Sequence, residues 1–394
     1  MKLLKLHIEN FRSLRNVAWE PGDLNVLIGP NAGGKSNLIR AIQLLSSAAS
    51  GNPGDNIVRQ GGLASLAWGG TERFIGFNVT TVGKATPSGE EEVRYTYTFG
   101  ITREDYPSNY FVAPEFLERT TGGLGIQLIE RYPGSASLKD GTGREVRALA
   151  LSELDREETL LSAAVHPMTG LQDLRELERF FSRLATYQEF RTDSRAAVRR
   201  AEISRREPIV SADGSNLVSV LHTLYSDNST FESDINDAMF AAFGDEFVKL
   251  VFSPNAADQR IQFKVRWKSL DNPVPASDLS DGTLRYLYLL AILANPNPPP
   301  LIAIDEPETG LHPRMMTFIA EFAAEAARRT QVVFTTHSAA FLDALTRFNP
   351  TVTVVEANNS ETQIKNVSPE VLAHWLQDYL LGELFRSRTL EAMA

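Results

Sequence analysis

Cysteine is absent from the 394-residue sequence, as are long apolar runs and an excess of positive charge. Without cysteine there is no disulfide, no thiolate nucleophile and no Cys-ligated metal site. The longest strongly apolar run, residues 286–294, is too short to span a bilayer, and the N-terminus lacks the apolar region of a signal peptide. The 39 basic and 49 acidic side chains give a net charge of −10, which excludes a protein that coats nucleic acid by bulk charge. We therefore expect a soluble, cytoplasmic protein that could contact DNA only through a local patch.

The spacing of apolar residues indicates an α/β protein. Alternating apolar positions predict half-buried strands, including a β-hairpin, in the first third of the chain. Helical spacing follows, and two short apolar runs near the end, separated by a helical pattern, indicate adjacent strands of a parallel sheet. Strands are expected at residues 4–8, 24–28, 74–82, 92–103, 247–252, 261–267, 301–304, 332–335 and 351–356, and helices at 171–184, 217–224 and around 369–384.

A phosphate-binding loop is the clearest motif. The apolar run at 24–28 leads into GPNAGGKS, residues 29–36, and then into a helical pattern, which is the strand-loop-helix context that this motif needs. Glycines let backbone N–H groups turn towards phosphate oxygens, and the helix N-terminus adds partial positive charge. Lys35 is expected to reach the β- and γ-phosphates, and the hydroxyl of Ser36 to ligate Mg²⁺. The other nucleotide-binding positions of this segment are Gly29, Asn31, Gly33, Gly34 and Asn37.

Two carboxylates end the apolar run at 301–304. Asp305 and Glu306 lie where a parallel strand would open at the edge of its sheet, a position that suits charged groups because burying them is costly. Acidic strand ends are common, but this one follows a phosphate loop. We expect Asp305 to hold Mg²⁺, and Glu306 to orient and deprotonate the attacking water.

Two further segments complete the pattern. Ser280, in LSDGT (residues 279–283), is placed to cap a helix, which by itself would indicate no more than an ordinary N-cap. His337 follows the apolar run at 332–335, where a strand next to that of Asp305 would end. It could therefore reach the γ-phosphate beside Glu306.

Together, IENFRS, GPNAGGKSN, LSDGT, IDEPETGLHP and TTHS resemble the ABC-type ATPase heads of the SMC and RecF group, and the EPExGLHP form resembles ATPases related to the OLD family. The resemblance implies a P-loop ATPase head with a mixed or parallel sheet core, an antiparallel β subdomain and an inserted helical lid. It implies a Walker A loop at 29–36, a signature motif that acts in trans, a Walker B pair and a D-loop at 310–312. Residues carried over are Arg12 near the nucleotide, the signature residues Ser280, Asp281 and Gly282, the Walker B residues Asp305 and Glu306, and the switch histidine His337.

Three positions depart from that pattern. Ala32 stands where glycine is commoner, which would strain the loop if the position requires a positive φ. Asp281 and Thr283 differ from the LSGGQ of transporters, which counts against a transporter subunit. No Q-loop glutamine is evident, and both Gln60 and Gln188 are open candidates.

The spacing of the motifs suggests one ATPase domain over 1–394. It would comprise a Walker A lobe with the hairpin (1–104), an inserted mixed or helical region (105–245), and a lobe with the signature, Walker B and histidine motifs (246–394). The insert has no long heptads for SMC-like arms. After His337 we expect no room for the Toprim domain of OLD nucleases, so any nuclease activity would come from a partner.

The best candidate for a DNA-binding patch lies at residues 191–206. Arg191, Arg195 and Arg199 are spaced four apart and would share one helix face. The alternative is a solvated arginine face or a network of internal ion pairs.

The leading hypothesis is an Mg-dependent ATPase that forms a homodimer or higher oligomer through ATP. Its conformational switch would act on DNA or on a separately encoded effector, such as a nuclease, in defence or DNA maintenance. Two alternatives are a non-catalytic ATP-bound scaffold for a partner protein and, less favoured, a transporter ATPase subunit.

Overall fold

In a computed structural model, the structure describes residues 1–84, 92–104, 110–149, 155–163, 171–203, 205–254 and 260–394. The strands are β1 (Lys2–Phe11), β2 (Leu14–Trp19), β3 (Leu24–Ile28), β4 (Phe74–Lys84), β5 (Glu92–Arg103), β6 (Tyr110–Thr121), β7 (Leu124–Tyr132), β8 (Ser135–Lys139), β9 (Glu145–Leu149), β10 (Ala185–Tyr187), β11 (Glu202–Ile203), β12 (Phe247–Pro254), β13 (Arg260–Trp267), β14 (Val274–Pro275), β15 (Leu301–Asp305), β16 (Gln331–Thr335), β17 (Thr351–Asn358) and β18 (Glu361–Asn366). The helices are α1 (Lys35–Ala49), α2 (Pro53–Arg59), α3 (Leu63–Leu66), α4 (Leu160–Ala163), α5 (Gln172–Ser182), α6 (Leu217–Asp227), α7 (Ser229–Phe243), α8 (Asp281–Leu293), α9 (Pro313–Ala326), α10 (Ala339–Leu345), α11 (Pro369–Trp375), α12 (Leu381–Arg386) and α13 (Thr389–Met393).

An antiparallel sheet of eight strands has the order β2-β1-β4-β5-β6-β7-β8-β9. The hairpin expected from the sequence is β4 and β5, which pair from Phe74 opposite Thr102 to Lys84 opposite Glu92. Alternate side chains of β5, among them Tyr97 and Phe99, are buried, as the period of two predicts. The sheet continues beyond residue 104 into β6–β9, so the first part of the 105–245 region extends this sheet.

A second sheet has the order β10-β15-β16-β3-β17-β18 and is parallel except for β18, which returns antiparallel to β17. Every residue of β3 and β16 is buried, as expected for parallel strands covered on both faces. One face of this sheet packs with α1 and the antiparallel sheet, and the other packs with α8 and α9. The parallel pair predicted around residues 301–304 and 332–335 is confirmed as β15 and β16.

A small third sheet consists of β11, β13 and β12, with β14 also paired to β13. It shares a core with α6 and α7. The helix predicted at 217–224 is confirmed as α6. The helix predicted at 171–184 is α5.

Two local predictions are wrong. Residues 191–199 form no α-helix: they run irregularly into a 3-10 turn at Ala197–Arg199, so Arg191, Arg195 and Arg199 do not share a helix face. The single terminal helix expected around 369–384 is divided into α11 and α12 by a turn at residues 376–380.

Among the described residues, no helix combines the length and apolar character needed to cross a membrane.

Candidate active site

Four parallel strands bring the predicted motifs to one edge of the second sheet. β15, β16 and β3 are neighbours in register, with Ile304 opposite Phe334 and Phe334 opposite Val26. Because the carboxyl ends of parallel strands meet at the same edge, the phosphate loop, the acidic pair and His337 emerge side by side. β10 extends this edge on the far side of β15, with Tyr187 opposite Ile304.

The backbone of the phosphate loop requires its glycines. Gly29 has φ +140°, and a Cβ atom there would lie 1.9 Å from the carbonyl oxygen of Val355. Gly34 has φ +110°, and its Cβ would lie 2.1 Å from the hydroxyl of Thr362. Ala32 has φ +63°, a left-handed conformation that an L-residue adopts at a cost. The strain expected at Ala32 if a positive φ were needed is therefore present.

The side chain of Lys35, the first residue of α1, lies over the loop. Its Nζ donates to the carbonyl oxygens of Gly29, at 2.8 Å, and Pro30, at 2.9 Å. Burial lowers the pKa of Lys35 to about 8, while Asp305 and Glu306 act in the opposite direction. An ammonium group held by two loop carbonyl oxygens beside a helix N-terminus can bind phosphate.

The acidic strand end is held by Thr335 of the next strand. The Thr335 hydroxyl donates to Oδ1 of Asp305, and the backbone N–H of Glu306 donates to the Thr335 carbonyl at 3.1 Å. Glu306 has φ +46°, outside ordinary strand conformation, and its side chain is 49% exposed. Its carboxylate is thus turned out of the sheet edge, where it can reach a water molecule.

His337 lies beside Glu306, with Nε2 3.7 Å from Oε1 of the carboxylate. Burial, followed by the charge of Lys35, lowers the pKa of His337, so the imidazole is neutral at pH 7. The backbone N–H of His337 and the hydroxyl of Thr336 both donate to Oε1 of Glu308, at 3.1 and 2.6 Å. Glu308 therefore fixes the turn that carries the histidine, and burial raises the pKa of its carboxyl group.

The groups available to a magnesium ion are oxygen donors. Ser36 is the second residue of the loop helix α1, and Asp305 ends β15. A hydroxyl and a carboxylate are ligands that suit Mg²⁺, which proteins hold by few side chains together with substrate phosphates and water. Gln188, directly after β10, donates to the Ser36 carbonyl at 3.4 Å. Gln60 instead contacts Arg12 and Asn56.

Arg12, directly after β1, lies beside Arg40 of the loop helix α1. Its backbone has φ +51°, and its guanidinium donates to the carbonyl oxygen of Gln60 at 3.2 Å. With Arg40 and Arg59 it lines a cleft of about 420 Å³ that also includes Gln188. Burial and the neighbouring Arg40 lower the pKa of Arg12, because a second positive charge disfavours its ionised form. The three arginines share this cleft with two carboxylates, Glu189 and Asp213.

The signature segment, residues 279–283, begins α8. The Ser280 side chain is exposed and caps the helix by accepting from the Thr283 N–H at 3.2 Å. Asp281 is 71% exposed and forms a 2.6 Å ion pair with Arg199. A Cβ atom on Gly282 would lie 2.9 Å from the carbonyl oxygen of Gly310, so the signature and the predicted D-loop at 310–312 touch within one chain.

Comparison with known proteins agrees with this geometry. The family model described as "AAA domain, putative AbiEii toxin, Type IV TA system" matches residues 24–343. The chain belongs to this AAA family.

Two curated relatives are DNA replication and repair proteins RecF. That of Geobacter sp. (strain M21) is 40% identical over 76 residues, 18% of this chain and 21% of the relative. That of Moorella thermoacetica is 46% identical over 52 residues, 13% of this chain and 14% of the relative. The matches thus span less than a quarter of either relative's length.

Solved structures show the fold of this AAA family member. An SMC head bound to the C-terminal winged-helix domain of ScpA has a TM-score of 0.55 at 13% identity and covers 94% of this chain and 99% of its own. An SMC head with an extended coiled coil, bound to the C-terminal domain of ScpA from Pyrococcus furiosus, has a TM-score of 0.51 at 12% identity and covers 96% and 99%. The expected fold class, an ABC-type P-loop head of the SMC and RecF kind, is confirmed.

The structure brings most of the predicted site residues of this AAA protein to one edge and adds others. Asn37 donates to the Ser13 hydroxyl at 2.8 Å, whereas Asn31 is exposed at the loop tip. Sequence reasoning missed Arg40 and Arg59. The position of Arg40, four residues after Ser36 in the loop helix, was an available signal, whereas Arg59 lies on α2 with no motif around it.

Proposed function

We propose that this AAA family protein binds and hydrolyses ATP, with Mg²⁺, at a site that two copies complete together. The observation that carries the proposal is the convergence of Lys35, Glu306 and His337 at the ends of three adjacent parallel strands. Their charges influence one another: Glu306 acts on the pKa of Lys35, and Lys35 acts on that of His337.

Each group has a role that fits its surroundings. The loop N–H groups and Lys35 bind the β- and γ-phosphates, and Arg12 is available from the adjoining cleft. Ser36 and Asp305 would hold Mg²⁺, which would neutralise charge on the phosphate oxygens. Glu306 orients the attacking water and accepts its proton. Neutral His337 can donate a hydrogen bond to the γ-phosphate.

Completion by a second copy is supported by the signature segment. Ser280 is exposed, and its hydroxyl contacts Thr283 of its own chain. The N–H groups in the first turn of α8 form a positive helix end that suits an anion. In the proposed dimer this helix end covers the γ-phosphate bound by the other copy and excludes water from it.

Size-exclusion chromatography with ATP tests the shared site. Glu306→Gln keeps the shape of the side chain but cannot accept a proton, so bound ATP persists and a stable dimer is expected. Lys35→Ala removes the phosphate ligand and is expected to stay monomeric with ATP. A Glu306→Gln protein that remains monomeric at saturating Mg-ATP would contradict the proposal.

Phosphate release separates an ATPase from a non-catalytic scaffold. The ATPase proposal expects turnover in the wild type and its loss in Glu306→Gln. Equal release from the two proteins would favour the scaffold.

We propose that the switch acts on DNA or on an effector partner, in defence or DNA maintenance. The RecF relatives are named for DNA replication and repair, and the two SMC heads were solved with ScpA domains bound. For DNA contact the exposed residues Arg191 and Arg195 remain candidates, but Arg199 does not, since its side chain is 11% exposed and hydrogen-bonded within the chain.

A further inference from the structure

Arg199 is the most extensively bonded arginine side chain near the signature segment. Its Nε donates to the Thr192 carbonyl at 2.6 Å. Nη1 lies 3.1, 3.0 and 2.8 Å from the carbonyl oxygens of Ala276, Ser277 and Leu279, and Nη2 pairs with Asp281 at 2.6 Å. All three guanidinium nitrogens are therefore used inside the molecule.

These contacts join two distant parts of the sequence. Thr192 and Arg199 follow β10 and Gln188, whereas the acceptors at 276–281 lie about 80 residues later and lead directly into α8. The carbonyl groups of residues 276, 277 and 279 all accept from the guanidinium group of Arg199, which fixes the direction in which the chain enters the helix. Charge-assisted hydrogen bonds of this kind are stronger and more directional than neutral ones, and lysine lacks the planar guanidinium group that makes them.

We propose that Arg199 is a positioning residue that holds the signature segment in the orientation needed to cover ATP on the opposite copy. This inference rests on the proposed shared site. Arg199 does not touch the nucleotide in this arrangement. It acts through residues 276–281, so that Ser280 and the first N–H groups of α8 face outward from the chain.

The proposal separates two effects of removing Arg199. The phosphate loop of the same chain should be unaffected, so the affinity of the isolated subunit for ATP should stay within about twofold of the wild type. The signature segment offered to the other copy should be misplaced, and kcat should fall by about 100-fold, the cost of a misplacement of about 1 Å at a catalytic centre. Arg200→Ala is the matched control, since Arg200 is the next residue, carries the same charge and is exposed.

Mixing defective chains tests whether Arg199 acts in trans. Arg199→Ala has an intact phosphate loop, and Lys35→Ala has an intact signature segment, so their mixed dimer contains one complete site. Because Lys35→Ala does not dimerise with itself, the mixed dimer is the species with a complete site, and the mixture is expected to turn over ATP well above the rate of either variant alone. Ser280→Asp, which keeps a good N-cap but faces the phosphate with a negative charge, serves as the reference signature variant in a parallel mixture with Lys35→Ala.

The outcomes are distinct. Recovery in both mixtures supports the proposal. Recovery with Ser280→Asp but not with Arg199→Ala overturns the role of Arg199 and leaves the shared site intact, and wild-type turnover of Arg199→Ala alone also overturns it. Failure of the Ser280→Asp mixture overturns the shared site itself and this inference with it. If Arg199→Ala does not fold, Arg199→Lys, which keeps the charge but not the planar guanidinium group, is used with the same criteria.

Discussion

The depressed pKa of Lys35 leads to a specific pH dependence of nucleotide binding. Burial lowers this pKa from 10.5 to about 8 in the free protein. Bound phosphates favour the ammonium form and should return the pKa to its ordinary value or above. Binding therefore takes up a proton, and affinity falls as pH rises through 8. With these two values the affinity decreases roughly eightfold between about pH 7.5 and about pH 9.

Isothermal titration calorimetry with a non-hydrolysable ATP analogue measures this effect directly. At about pH 8, heats in two buffers of different ionisation enthalpy should differ by about half a proton per nucleotide. The chosen range lies above the titration of the terminal phosphate, whose second pKa is near 6. Lys35→Arg is the control, because arginine stays charged and its affinity should not change between the two pH values. Equal wild-type affinity at both pH values, without proton uptake, would refute the reasoning.

Three further predictions follow from single positions. Ala32→Gly should relieve the left-handed strain and raise the free energy of unfolding in urea by up to about 1 kcal/mol, since the relief exceeds the entropic cost of glycine; a lower stability would contradict this. Gly34→Ala should abolish ATP binding in the same calorimetric assay, because its Cβ would collide with the Thr362 hydroxyl; retained affinity would show that the loop can rearrange. Replacing exposed Arg195 by alanine should weaken DNA binding and reduce the slope of log affinity against log salt by about 0.9, the value for one phosphate contact; unchanged binding and slope would remove this residue from the DNA proposal.

Local patterns predicted the β4–β5 hairpin and the core strands of the parallel sheet because the relevant information lies within short segments, whereas strands β6–β9 were not predicted. The fully apolar runs of β3 and β16 and the alternating residues of β5 correspond to the strands observed. The Ser280 cap was also predictable, since a serine before a helical pattern satisfies the free N–H groups at its start. Parallel pairing of the two late strands then followed from the helix between them.

The choice between Gln60 and Gln188 was not accessible to this reasoning. Neither glutamine has a diagnostic neighbour in the sequence. What distinguishes them is the pairing of β10 with β15, which brings Gln188 to the carbonyl of Ser36, 152 positions earlier. The placement of Gln188 beside Ser36 makes it the better candidate for the Q-loop role.

The arginine-rich segment shows why spacing alone is a weak guide to helices. Arg191, Arg195 and Arg199 have helical spacing, but a helix in a globular protein is stabilised mainly by burying an apolar face. Here the buried residues are Ala196 and Val198, two positions apart, which is incompatible with one helix face. The segment is ordered instead by Arg199, whose acceptors lie mainly in residues 276–281. Arg199, which the sequence offered as a surface contact for DNA, instead makes hydrogen bonds inside the molecule that hold two segments together. Its function must be tested through the signature segment that it contacts.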